Sequence, residues 1–229
     1  MPKSSLTDQA YDLLKNDIIS CRFMPGEQIA QAQLVERFGI GKSPIRDALQ
    51  RLAQEGFVQS IPRFGYLISP VTVADVQELF ELRQILECAA VRLATERGPE
   101  KDLQQLNNEA EFSYVYHNRQ SYNDFLQRNN EFHRSIATLS GNQRLMDAIS
   151  RVLGELLRLF HLGLDLRDSA EEMREEHVEL VGALLERDPD RAEEIVQKQI
   201  SRSQERIIEA LVQRVRTARR TPIKQGVSL

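Results

Sequence analysis

Apolar residues recur at three- and four-residue spacing along most of the chain, with one interruption where the period falls to two. The spacing predicts a first helix over Leu6 to Ser20, with Ala10, Leu13, Leu14, Asp17 and Ile18 inward and Thr7 as its N-cap. A shorter helix follows from Ala30 to Phe38, with Leu34, Val35 and Phe38 inward, and stops at Gly39. Ser43-Pro44 reads as the start of the next, capped by the serine hydroxyl, with Ile45, Ala48, Leu49, Leu52 and Ala53 on one face and Gly56 closing it. Phe57-Val58 and Tyr66-Leu67-Ile68 then read as two short strands around a turn at 61–65. After Ser69-Pro70-Val71-Thr72, helical spacing predicts six helices at about 73–97, 100–117, 120–139, 143–163, 168–187 and 189–216. Gly98-Pro99, 117–120, Ser140-Gly141-Asn142 and Asp188-Pro189 separate them, and no repeat suggests a solenoid. The expected fold is mainly α: a winged helix-turn-helix over 1–70, an antiparallel six-helix bundle over 71–216, and a disordered polar tail over 217–229.

Two short helices joined by a Gly-containing turn also occur as plain packing units, so the chemistry at their ends matters. The second helix of a DNA-binding pair enters the major groove by its N-terminal end, and Lys42, Ser43 and Arg46 occupy that end. Gln31 opens the preceding helix, where a contact to a phosphate or base edge is the functional reading and a simply solvated glutamine the plainer one. Arg63 and Gly65 sit at the hairpin tip, where an arginine suits a minor groove or phosphates; a small hairpin with a solvated arginine is the plainer alternative. These six residues are the candidate DNA contacts.

Composition narrows the setting. A chain of 229 residues is long enough for two cores. No apolar run approaches a membrane span, and the N-terminal stretch lacks the hydrophobic centre of a signal peptide. Cys21 and Cys88 stand far apart in no metal spacing, which fits a cytoplasmic protein rather than a disulfide framework. The net charge is −4, but residues 1–70 carry eight Lys/Arg against seven Asp/Glu, and the remainder 22 against 27. The first part tolerates a phosphate backbone, although one net positive charge is little for a DNA-binding domain.

Polar residues on the inward faces of the second half point to a ligand. Arg83 and Glu87 stand among Val76, Phe80 and Ala90; Asn129 and His133 among Phe125, Phe132, Ile136 and Ser140. His177 shares a stripe with Met173, Leu180 and Leu184, and Gln199 one with Ala192, Ile195, Val196, Ser203, Arg206 and Ala210. Burying such groups unpaired costs several kcal/mol, so they meet one another, water, an ion or a guest. Six of them on four helices predict a polar pocket in the bundle centre. His117, in a break, and His161 stand outside this set.

Residues 5–70 resemble the winged helix of GntR-type bacterial regulators, carrying the MPGEQI, SPIRDALQRLAQEGFV and RFGYLI segments in order. Residues from about 75 to 215 resemble the all-helical FCD effector domain of the FadR-like subfamily through ELRQILECAA, NNEFHRSIATLSGNQRL, EEHVELVGALLERD and AEEIVQKQI. The resemblance implies a ligand-responsive transcription regulator, a repressor acting on a double-stranded operator as a homodimer, that senses a small carboxylate. Many such domains hold a divalent metal, zinc or nickel among them, through one aspartate and three histidines. Here His133 and His177 keep histidine, whereas Asn129 stands at the aspartate position and Gln199 at the third histidine. Neutral amide oxygens are poor ligands for first-row metals, so the resemblance implies a weak metal site or a metal-free pocket of Arg83, Asn129, His133, His177 and Gln199. Arg83 matches a family arginine near the pocket and is positioned to clamp a carboxylate, steadied by Glu87. The rival reading is a metal-dependent enzyme using the bundle histidines, against which no HExxH helix, phosphate loop or nucleophile motif appears. A structural nucleoid-type DNA binder is a third, but it has no need of a polar-centred helical unit.

Overall fold

The structure, a computed structural model, describes residues 5–63 and 65–220. The chain divides into two compact units, 1–72 and 73–229.

The first unit contains α1 (Leu6–Ile19), β1 (Gln28–Ile29), α2 (Gln31–Phe38), α3 (Lys42–Gln54), β2 (Val58–Ile61) and β3 (Gly65–Ile68). Its core joins the inward faces of all three helices, through Ala10, Leu14, Ile18, Leu34, Ile45, Leu49 and Leu52, to Val58 and Ile68 of the sheet. Several local expectations are corrected. Ser5, not Thr7, caps α1: its hydroxyl accepts from the Asp8 amide at 3.1 Å while the Asp8 carboxylate accepts from the Ser5 amide. This capping box uses an acidic partner three residues on, which Thr7 would lack. Leu13 is exposed, and the aromatic Tyr11 is buried in its place. Lys42 opens α3, with Gly41 as an N-cap that has no side chain to close the helix, so Ser43 and Pro44 lie inside the first turn. Gly56, at φ +80°, follows the last turn as expected.

The strand β1, two residues long, is too short to show a period in the sequence. It pairs antiparallel with β3, and β3 with β2, in the order β1-β3-β2. Gly65 makes that order possible. It sits at φ +94°, and a Cβ there would lie 2.6 Å from the Ile29 carbonyl oxygen on β1. Gly65→Ala therefore meets both a left-handed backbone and a clash with backbone. We expect it to lower the stability of the winged unit by roughly 1–3 kcal/mol, read as an earlier urea transition; an unchanged midpoint would contradict this placement.

The second unit contains α4 (Val73–Arg97), α5 (Glu100–Ala110), α6 (Arg119–Leu139), α7 (Gln143–Leu164), α8 (Ala170–Leu185) and α9 (Pro189–Arg220). α4 packs along α9, both meet α7, and α6 and α8 complete the surround. α6 and α7 start at Asn118 and Asn142, whose side chains accept from the amides three residues on. Two expectations fail here. The helix expected over 100–117 ends at Ala110. Beyond it Phe112 and Tyr114 are buried while Glu111, Ser113 and Val115 are exposed, so the period has become two and the segment is extended. Its Tyr114 hydroxyl accepts from the Ser169 amide at 2.7 Å, tying it to the start of α8. The disordered tail expected from Thr217 is also displaced, because α9 continues to Arg220; the rest of it lies outside the described residues.

Candidate functional site

On the winged unit, local ion pairs sort the cations. Asp17, buried, holds Arg22 at 2.8 Å and Arg37 at 2.6 Å. Glu55 holds Lys15 at 2.8 Å, and Arg51 lies over the Tyr11 ring, 3.7 Å from its centroid. These four are occupied inside the unit. Lys42 and Arg63 are exposed and in no ion pair among the described residues; Arg46 is exposed with only loose 3.4 Å approaches to Asp47 and Ser43. The slight positive balance is thus concentrated at the N-terminus of α3 and at the hairpin tip. With Gly41 as cap, the first amides of α3 and its dipole add to the attraction for phosphate there. Arg63, at φ +70°, turns the chain at the tip.

Two candidate contacts serve the protein itself in this geometry. Gln31 donates from Nε2 to the Lys42 carbonyl at 2.6 Å, bracing α2 against the start of α3. Gly65 is half-buried against β1.

The five effector candidates converge. Arg83, Asn129, His133, His177 and Gln199, from α4, α6, α8 and α9, line one cavity with Met173, Ser203 and Arg206. Its volume is about 30 Å³, room for a few water molecules. Glu87 stands behind it: Arg83 donates from Nε to one carboxylate oxygen at 2.7 Å, and His133 Nδ1 lies 3.0 Å from the other. Burial pushes the Glu87 carboxyl up, but the Arg83 charge and His133 outweigh this and hold it at about 2. Arg83 also lies 5.7 Å from the Phe80 ring centroid and 5.3 Å from that of Phe160, so it is well anchored.

His177 sits between Phe112 and Phe132, with ring centroids 5.0 and 4.7 Å away. Burial, then the positive surroundings of His133 and Arg83, pushes its imidazole well below the ordinary histidine range, so it is neutral. Its Nδ1 has no hydrogen-bond partner among the described residues. Gln199 donates from Nε2 to the Glu176 carbonyl at 2.7 Å, leaving its buried Oε1 unpartnered. Arg206 was legible as a charge on an apolar stripe but not as part of the site. It is buried, and among the described residues its Nη1 makes no hydrogen bond and the nearest carboxylate oxygen, on Glu172, is 3.9 Å away. His161 is buried on α7 and His117 exposed, and neither lines the cavity.

A divalent metal fits this lining poorly. Among the described residues no three His, Cys, Asp or Glu side chains converge on one point, and two of the four implied ligand positions carry amides. Two guanidinium groups in the same wall oppose a cation further.

A winged helix with its cations gathered on α3 and the hairpin, together with a helical unit enclosing a polar cavity, defines a DNA-binding regulator with an effector domain. The chain belongs to the gntR family of bacterial regulatory proteins, whose domain matches residues 6–68, and carries an FCD domain over residues 78–202. It is similar to the HTH-type transcriptional repressor RspR of Escherichia coli, 26% identical over 84% of both chains. It is likewise similar to the Nta operon transcriptional regulator of Aminobacter aminovorans, 29% identical over 84% of this chain and 90% of that one. The fold matches that of E. coli McbR/YncC with a TM-score of 0.66 at 22% identity, covering 90% of this chain and 98% of the other. The chain is a transcriptional regulator and not an enzyme, which sets aside the metal-dependent enzyme reading. Among the described residues no helix is long and apolar enough to cross a membrane.

Proposed function

We propose that this chain is a cytoplasmic repressor whose helical unit binds a small carboxylate and thereby changes its affinity for operator DNA. The observation that carries the effector reading is the buried cavity with Arg83 and Arg206 in its wall and, among the described residues, no complementary metal-ligand set. Two cationic walls and neutral His177 suit an anionic guest without a metal. Similarity to RspR supports repression. Binding acts on DNA only through a difference in guest affinity between two states of the protein, for which a coupling of about 1–3 kcal/mol is expected.

The chain acts as a homodimer on an inverted repeat. One recognition helix spans only a few base pairs, and two-fold symmetry doubles the contact. Gel shifts on the DNA upstream of its own coding sequence, with and without small carboxylic acids, test the whole reading. A shift unaffected by every acid removes the effector role, and a monomer by light scattering that still binds tightly removes the dimer.

On the DNA side, Arg46→Ala is expected to cost roughly 1–3 kcal/mol of operator affinity if Arg46 reads a base, and to narrow the gap between operator and random DNA. Arg63→Ala weakens both alike. Unchanged affinity in both variants would mean that another surface meets DNA.

A further inference from the structure

Every residue that lines the central cavity stands on a helix, and all but Met173 are buried. A guest larger than a few water molecules therefore enters only when part of the surrounding structure moves aside. Parting two of the helices would disturb close packing along their whole length. Residues 111–118 offer an easier route. Among the described residues they are the longest connection between helices in this unit. The Val115 and His117 amides donate to the Ser121 and Tyr122 side chains, each at 2.8 Å, rather than into a helix or sheet. A segment held by a few side-chain contacts opens at lower free energy than the elements around it.

The place of this strap gives it a use. Phe112 and Phe132 both pack against His177, with ring centroids 5.0 and 4.7 Å away. His177 lines the central cavity, whereas Phe112 and Phe132 line a second, outer hollow of about 420 Å³ together with Arg128, Glu131 and Ser135. Three aromatic rings in contact thus stand between the two spaces. Of the three, Phe112 alone belongs to the strap rather than to a helix. Resting on the effector reading above, we propose that residues 111–118 are the gate of the cavity: Phe112 withdraws from His177 and Phe132, and the outer hollow opens into the inner one. The Tyr114 hydroxyl fastens the closed position by accepting from the Ser169 amide at 2.7 Å. Phe112 also packs on Phe125 of α6, with ring centroids 5.2 Å apart, so the closed strap has a defined seat.

A thiol inside the cavity reports the gate without any effector. Asn129 lines the cavity and is buried, so iodoacetamide added to the full chain carrying Asn129→Cys labels residue 129 at a rate set by how often the cavity opens. Peptide mass spectrometry reads that label apart from any on Cys21 and Cys88. Adding Phe112→Ala is expected to speed labelling at 129 by about tenfold or more, and adding Tyr114→Phe by a smaller factor, because each removes a contact that the closed strap makes. Cys88, buried on α4 of the same unit, should keep its own rate, and a thermal midpoint shows that each variant is folded. Unchanged labelling at 129 in both folded variants, or Cys88 quickening in step with it, overturns the gate and leaves the effector reading standing. Faster labelling with Met173→Ala but not with Phe112→Ala overturns it as well, placing the entrance on α8. If labelling at 129 quickens as expected while no acid moves the gel shift, the gate stands and the effector reading falls.

Discussion

Glu87→Ala is expected to cost about 3–5 kcal/mol of stability, the largest effect of any single substitution considered. Glu87 is almost fully buried, bonded by Arg83 at 2.7 Å and approached by His133 at 3.0 Å. Removing the carboxylate leaves a buried guanidinium without its counter-charge, a penalty greater than the worth of the pair itself. Glu87→Gln keeps the shape and one acceptor oxygen, and is expected to lose less. Urea unfolding followed by circular dichroism at helical wavelengths reads both. Equal, small losses in the two variants would show that Arg83 finds another partner or water once Glu87 is gone.

The double substitution Asn129→Asp with Gln199→His is expected to raise affinity for Zn²⁺ or Ni²⁺ by a factor of about 100 or more. It restores a carboxylate and a third imidazole around His133 and His177, in place of two neutral amide oxygens. The new carboxylate also offsets the positive wall made by Arg83 and Arg206. Calorimetry on the unsubstituted chain and the double variant decides the matter. Tight binding by the former with no gain in the latter would show that the amides, or residues outside the cavity, hold a metal after all.

The sequence by itself determined both units, because long amphipathic helices write their buried faces at 3.6-residue spacing. It also exposed the cavity residues, since a charge or amide on an apolar stripe is conspicuous without any coordinates. Arg83, Glu87, Asn129, His133, His177 and Gln199 all fall on buried faces as their spacing implies. What remained illegible was short or depended on partners distant in sequence. The two-residue β1 shows no period, and Ser5 competes with Thr7 for a cap that only Asp8 decides. In 111–118, aromatic residues that could have extended a helix alternate in and out instead, because Phe112 finds His177 and Tyr114 finds Ser169. Tertiary structure alone also told one cation from another. Arg22, Arg37 and Arg51 look as available for DNA as Arg46 until folding brings Asp17, Tyr11 and Glu55 against them. Arg83 and Arg206 likewise look alike on their stripes, and only the fold gives one a carboxylate at 2.7 Å and leaves the other's Nη1 without an acceptor. Periodicity records which way a residue faces; what it meets there is set by chain folded from elsewhere.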